Sequence, residues 1–197
     1  MINQNFIYLG VLLNIIGASS YLIDTVKGKI KPNRVSWFIW MLAPLIAFAA
    51  EVKQGVGIAS LATFVVGFMP LLVLIGSFLN KKSEWKINSF DLICGLLSVI
   101  GIILWMITRV GNVAIFFSIM ADGLASVPTV VKSYHHPETE NDHVFMFQIA
   151  NAGIALLTIK SWSFQNWGFP AYLLINGVVL TALIRFKLGK IKIQKTK

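Results

Sequence analysis

Asn14, Asp122, Asn151 and Asn176 are polar residues set deep inside long apolar runs, each eight to twelve residues from both polar boundaries of its run. At about 1.5 Å of helical rise per residue, all four reach one level halfway along their helices. Pro44 falls near the same level. An unpaired polar group at such a depth is costly, so a set of four at one level calls for an explanation. Carboxamides offer both donor and acceptor, which suits the hydroxyls or ring amide of a neutral solute. A carboxylate there needs a partner or water, and Asp122 is expected to face a cavity and take part in substrate or proton binding. Trp37, Trp40 and Pro44 stand at i, i+3 and i+7, on one helix face, and Val144, Phe147 and Asn151 repeat that spacing with Gln148 beside them. Tryptophan faces stack on sugars and flat heterocycles alike, and Trp40 is the deeper of the pair. The candidate substrate-binding set is therefore Asn14, Trp40, Asp122, Gln148, Asn151 and Asn176. The same residues also suit a plainer role. Asn and Gln in membrane helices bond neighbouring helices, worth about 0.6–2 kcal/mol each, and Trp37 suits an interfacial belt.

Pro44, Pro70 and Pro128 each remove a hydrogen bond within a run, giving either hinges or static bends. His135, His136, Glu138, Glu140, Asp142 and His143 crowd one loop. Their spacing fits no zinc pattern, so no metal site is expected and the loop reads as solvated and acidic. A second reading pairs its acids with Lys27, Lys29 or Lys31 of an earlier loop as a latch; charge reversal at Glu138 and Glu140 would then alter transport or stability. No phosphate-cradling loop, nucleophile elbow or intramembrane Ser–His pair occurs, so no catalytic residue, enzyme activity or cofactor is expected.

The elements that position these residues follow from composition. Of 197 residues, 56% are apolar and 13% charged, against about a quarter charged in a soluble domain. That excludes a disordered chain, a disulfide-stapled module and an ordinary soluble enzyme, and predicts an integral membrane protein. The single cysteine, Cys94, can form no intrachain disulfide. Seven apolar runs are predicted to be helical spans: 5–25, 35–50, 56–79, 89–108, 110–132, 143–159 and 167–186. With seven spans, fourteen Lys and Arg fall on one side and only Lys53, Arg109 and Lys160 on the other. This asymmetry predicts a multi-pass protein of the inner membrane, with its N-terminus outside and its C-terminus cytoplasmic. The net charge of +9 lies between apolar runs and not on one stripe, so no nucleic-acid partner is expected and the tail from 188 to 197 reads as an anchor near anionic lipid. Small residues such as Gly17, Gly123 and Gly153 suit close helix packing.

Lys27 to Pro32 aligns with Lys132 to Pro137 at an offset of 105, and Trp37 to Trp40 with Val144 to Phe147 at an offset of 107. The chain then divides into a three-helix repeat (1–82), a linker helix (83–109) expected to lie outside the pore, a second three-helix repeat (110–187) and the basic tail. One intervening crossing makes the two triplets parallel, an architecture used by transporters. This plan, with Pro128-Thr129 near the inner end of span five and the paired tryptophans Trp37 and Trp40, resembles the SWEET, PQ-loop and Pnu-type vitamin-transporter superfamily. The segment Lys31-Pro32-Asn33-Arg34-Val35-Ser36-Trp37 is also similar to that of bacterial membrane members of this kind. Span one departs from the family pattern with Tyr21-Leu22 where a Pro-Gln pair belongs. The resemblance implies a uniporter or proton-linked carrier, working by alternating access on a small-molecule substrate such as a sugar, nucleoside or vitamin. The alternative is a non-transporting receptor or sorting adaptor on the same fold. A homo-oligomer is compatible with either.

Overall fold

The computed structural model describes residues 6–53, 60–108 and 111–189. The expected start of span three at Val56, the charge on Arg109 and the tail from Lys190 onward lie outside the described residues. Within them the regular structure is entirely helical: α1 (Phe6–Val26), α2 (Arg34–Lys53), α3 (Ser60–Leu79), α4 (Ser89–Ile107), α5 (Gly111–His135), α6 (His143–Thr158) and α7 (Phe164–Arg185), with 3-10 turns at Lys81–Ser83 and Pro137–Thr139. Four of the seven, α1, α4, α5 and α7, are long and apolar enough to cross a membrane.

The α4 helix shows why such a sequence folds this way. Its buried stripe is small or polar (Asp91, Cys94, Gly95, Ser98 and Gly101) apart from Ile102, while Leu92, Ile93, Leu96, Leu97, Ile100 and Ile103 point outward. Water would drive the opposite arrangement. Small residues inward and branched aliphatics outward are the pattern of a helix packed against neighbours in lipid, consistent with a membrane protein. At Gly101 an added Cβ would lie 2.9 Å from the Cβ of Ala121, so the glycine lets α4 seat directly on α5. The helix starts on a capping box in which Asn88 and Asp91 satisfy each other's backbone N–H groups.

Helix α3 lies against both α1 and α2, and α7 lies against both α5 and α6. Across the middle, α1 packs on α6 and α2 meets α5, with α4 against α5 and α2. The α1–α6 seam is close because Gly10 and Gly17 face Asn151 and Phe147; a Cβ at either glycine would fall within 3 Å of those side chains. Prolines sit inside α2 (Pro44), α3 (Pro70), α5 (Pro128) and α7 (Pro170).

Candidate functional site

One hollow, about 540 Å³ in volume, receives residues from all seven helices. Its polar wall is Asn14 of α1, Thr63 of α3, Ser118 and Asp122 of α5 and Asn151 of α6. Twelve of the seventeen described lining residues are apolar, among them Pro44, Ile102, Trp105 and Phe169. Apart from Ile39 in the first half of α2, the lining residues lie in the first half of α1, α3, α5 and α7 and from the middle onward in α2, α4 and α6. The hollow thus occupies the half of the bundle away from the loops at 27–33, 80–88 and 136–142. Its size is that of small-molecule pockets, on the order of 300–1,000 Å³, and so is its make-up of apolar walls with a few polar groups.

Asp122 is half-buried, and its Oδ2 accepts a hydrogen bond from the Tyr172 hydroxyl of α7 at 2.6 Å. The ring of Tyr172 rests on Gly123, where an added Cβ would lie 3.7 Å away. Asp122 forms no ion pair with any described residue. Neither Asn14 nor Asn151 makes a side-chain hydrogen bond to a described residue; Asn151 rests its Oδ1 against Gly10 of α1, whereas Asn14 lines the hollow with its carboxamide available to an occupant. Pro44 lies on the same wall.

Three of the six residues expected from the sequence stand elsewhere. Asn176 is buried in the α5–α7 seam, where its Oδ1 accepts from Ser126 Oγ at 3.0 Å. Gln148 donates through Nε2 to the Leu173 carbonyl of α7 at 2.8 Å, tying α6 to α7. Trp40 packs edge-on against Trp37 and Phe145, joining the apolar clusters at the centre of the bundle. Depth along a helix put these residues at the right level but could not say which way each faces. Of the expected hinges, Pro44 touches the hollow, Pro70 is half-buried in α3 and Pro128 is fully buried in α5. Sequence reasoning passed over Tyr172, Thr63 and Ser118. Tyr172 carried a usable signal, a hydroxyl two residues past Pro170 in an apolar run. The α4 helix is also corrected: Ile102 and Trp105 line the hollow, so the helix does not lie outside it.

The opposite end is closed by a clasp. Lys132 and Glu140 form an ion pair at 2.6 Å, with side chains 1% and 0% exposed. The Tyr21 hydroxyl of α1 donates to the other carboxylate oxygen at 2.5 Å. Lys132 also donates to the Lys31 carbonyl, the Lys31 N–H donates to the Thr139 carbonyl at 2.9 Å, and the Trp85 ring covers the ammonium. Asn141 donates to Asp24 at 2.6 Å, and Thr129 of α5 to Ser36 of α2 at 2.9 Å. The acidic loop is therefore latched, with partners other than those the sequence suggested. Glu140 takes Lys132 from its own side of the bundle, Lys31 contributes its backbone, and Lys29 turns back to Asp24 at 3.3 Å. Proximity in sequence hid this, because eight residues separate Lys132 from Glu140 and the intervening turn brings them together. Among the described residues no cluster of His, Cys, Asp and Glu is arranged to hold a metal.

Comparison with known proteins gives no matching family model, no matching curated protein and no matching solved structure.

Proposed function

We propose that the chain is a multi-pass inner-membrane carrier, a facilitator or proton-linked uniporter for a small polar solute. In this reading α1–α3 and α5–α7 are two parallel three-helix repeats, α4 is the crossing that makes them parallel, and the whole is a 3+1+3 bundle of the SWEET and PQ-loop kind. The clasp faces the cytoplasm and the hollow faces outward, following the positive-inside distribution of charge. One observation carries the proposal: side chains from seven helices converge on one hollow confined to one half of the bundle, while buried polar contacts between the two helix triplets, Tyr21 to Glu140, Thr129 to Ser36 and Lys132 to the Lys31 carbonyl, close the other half. Alternating access needs such an asymmetry, since a carrier at rest is open to one side and sealed on the other. Solute would enter the hollow and displace water from Asn14 and Asn151. The triplets would then rock about the α1–α6 and α2–α5 seams as the Tyr21–Glu140 bond parts.

Purified protein in proteoliposomes tests this directly. Uptake of solutes that stabilise the protein against heat, saturable and faster than in empty liposomes, is the expected result. Stabilisation without flux would instead favour a receptor or adaptor.

A further inference from the structure

The hollow carries one carboxylate and no compensating cation among its described lining residues. Asp122 is the only ionisable residue among the described lining residues, and the other polar side chains there are two carboxamides and two hydroxyls. Tyr172 of α7 holds one oxygen of that carboxylate, which keeps the acid in a fixed position on the hollow's wall. A phenol hydrogen bond does not neutralise the charge. An anionic solute would be repelled by it, and a neutral polyol would leave it unbalanced in a site whose walls are mostly apolar, where such a charge is expensive.

We infer that the solute bears a protonated amine: a small organic monocation with an apolar or aromatic body, its ammonium on Asp122. The carbonyl oxygen of Asn14 accepts a remaining N–H bond, since an ammonium has three donors and one carboxylate uses only part of them. Trp105, Phe169 and the aliphatic wall receive the body of the molecule. A volume near 540 Å³ accommodates a solute of amino-acid to small-vitamin size. This inference rests on reading the hollow as a solute site and narrows the class of solute it takes.

The test uses full-length protein in lipid nanodiscs and three probes with one aromatic body and different heads: tyramine (cationic), tyrosol (neutral) and 4-hydroxyphenylacetate (anionic). Thermal unfolding is followed over a concentration series of each. Tyramine is expected to raise the melting temperature in a saturable way, at concentrations at least tenfold below those needed for either of the other two. Asp122→Asn should remove that preference. Tyr172→Phe, which keeps the carboxylate, should retain the preference with a weaker response, so the result does not depend on one variant folding. Equal or stronger stabilisation by tyrosol or 4-hydroxyphenylacetate, or none by any probe, overturns the amine assignment. So does a matching Asp122-dependent stabilisation by sodium chloride alone, which would assign the site to an inorganic cation. The carrier reading fails separately: amine binding without flux would sink transport and leave the amine site standing. Flux of a neutral solute with no amine preference would do the reverse.

Discussion

At the loop end, the polar heads of Lys132, Glu140, Tyr21 and Asn141 are withdrawn from solvent and each is met by a group from another segment. On the wall of the hollow, Asn14 and Asn151 make no side-chain hydrogen bond to a described residue, Asn151 resting against Gly10, and Asp122 has one hydroxyl. The same kinds of side chain therefore do two jobs. Where polar groups satisfy one another, removing one leaves its partner buried and uncompensated, so the effect falls on stability. Where they face a cavity, removal frees no partner, so the effect falls on what the cavity holds. The contrast predicts a molecule whose stability and solute recognition are written at opposite ends.

The strongest way to break that contrast is at Glu140. Replacing it with Ala strands the Lys132 ammonium, and the expected loss is about 3–5 kcal/mol, read from chemical or thermal unfolding in nanodiscs. A double change, Lys132→Met with Glu140→Leu, removes both charges and should recover most of that loss. If the single change costs under about 1 kcal/mol, in the range of an exposed pair, the clasp is not a closed element and the two ends do not differ as described. Tyr21→Phe comes next. It deletes one hydrogen bond to a charged acceptor and leaves the ion pair whole, so about 1.5–3 kcal/mol should be lost.

How much of this could be read beforehand depends on which property each residue expresses. Helix number and most helix ends were legible, because hydropathy and charge vary on the scale of a whole helix. Three ends moved by a turn: α2 runs on to Lys53, α5 runs on to His135, where Lys132 is paired inside the fold, and α7 begins at Phe164 through a polar, aromatic stretch that hydropathy scores as a loop. The level of Asn14, Asp122 and Asn151 was legible from counting. Their facing was not, and Asn176 and Gln148, at similar depth, went into seams because Ser126 and the Leu173 carbonyl stood opposite them. The α4 helix was misjudged for a similar reason: nothing in its own sequence reveals that Ile102 and Trp105 pack with α2 and α5 on the wall of the hollow. Partner choice within the clasp is a property of three loops meeting in space, and four nearby lysines offered no local way to choose among them.

The seam between the two ends gives a finer comparison. A Cβ at Gly17 would lie 2.8 Å from Phe147 Cδ2 and 2.9 Å from its Cβ, so Gly17→Ala forces α1 and α6 apart. Overpacking of this kind costs about 1–3 kcal/mol, and it should appear as a lower melting temperature. Gly123, beside the hollow, has its nearest neighbour at 3.7 Å, an ordinary contact. Gly123→Ala should therefore be tolerated, and the helix-propensity gain of up to about 1 kcal/mol should show as equal or higher stability. A large loss at both positions would mean that the hollow wall is packed as tightly as the seam.

The smallest expected stability effect is the one that separates the two roles most cleanly. If Asn14 served to bond a neighbouring helix, Asn14→Ala would cost about 0.6–1.7 kcal/mol, the range measured for such bonds in membrane proteins. Facing the hollow with no partner to strand, it should instead change stability by less than about 0.5 kcal/mol. The variant should still bind solute several-fold more weakly, because an acceptor on the wall is gone. Unfolding and ligand titration on one preparation read both quantities. An unchanged affinity with a measurable loss of stability would move Asn14 from the wall of a site to the list of structural contacts, and would leave Asp122 and Asn151 as the only groups of that trio with a claim on solute.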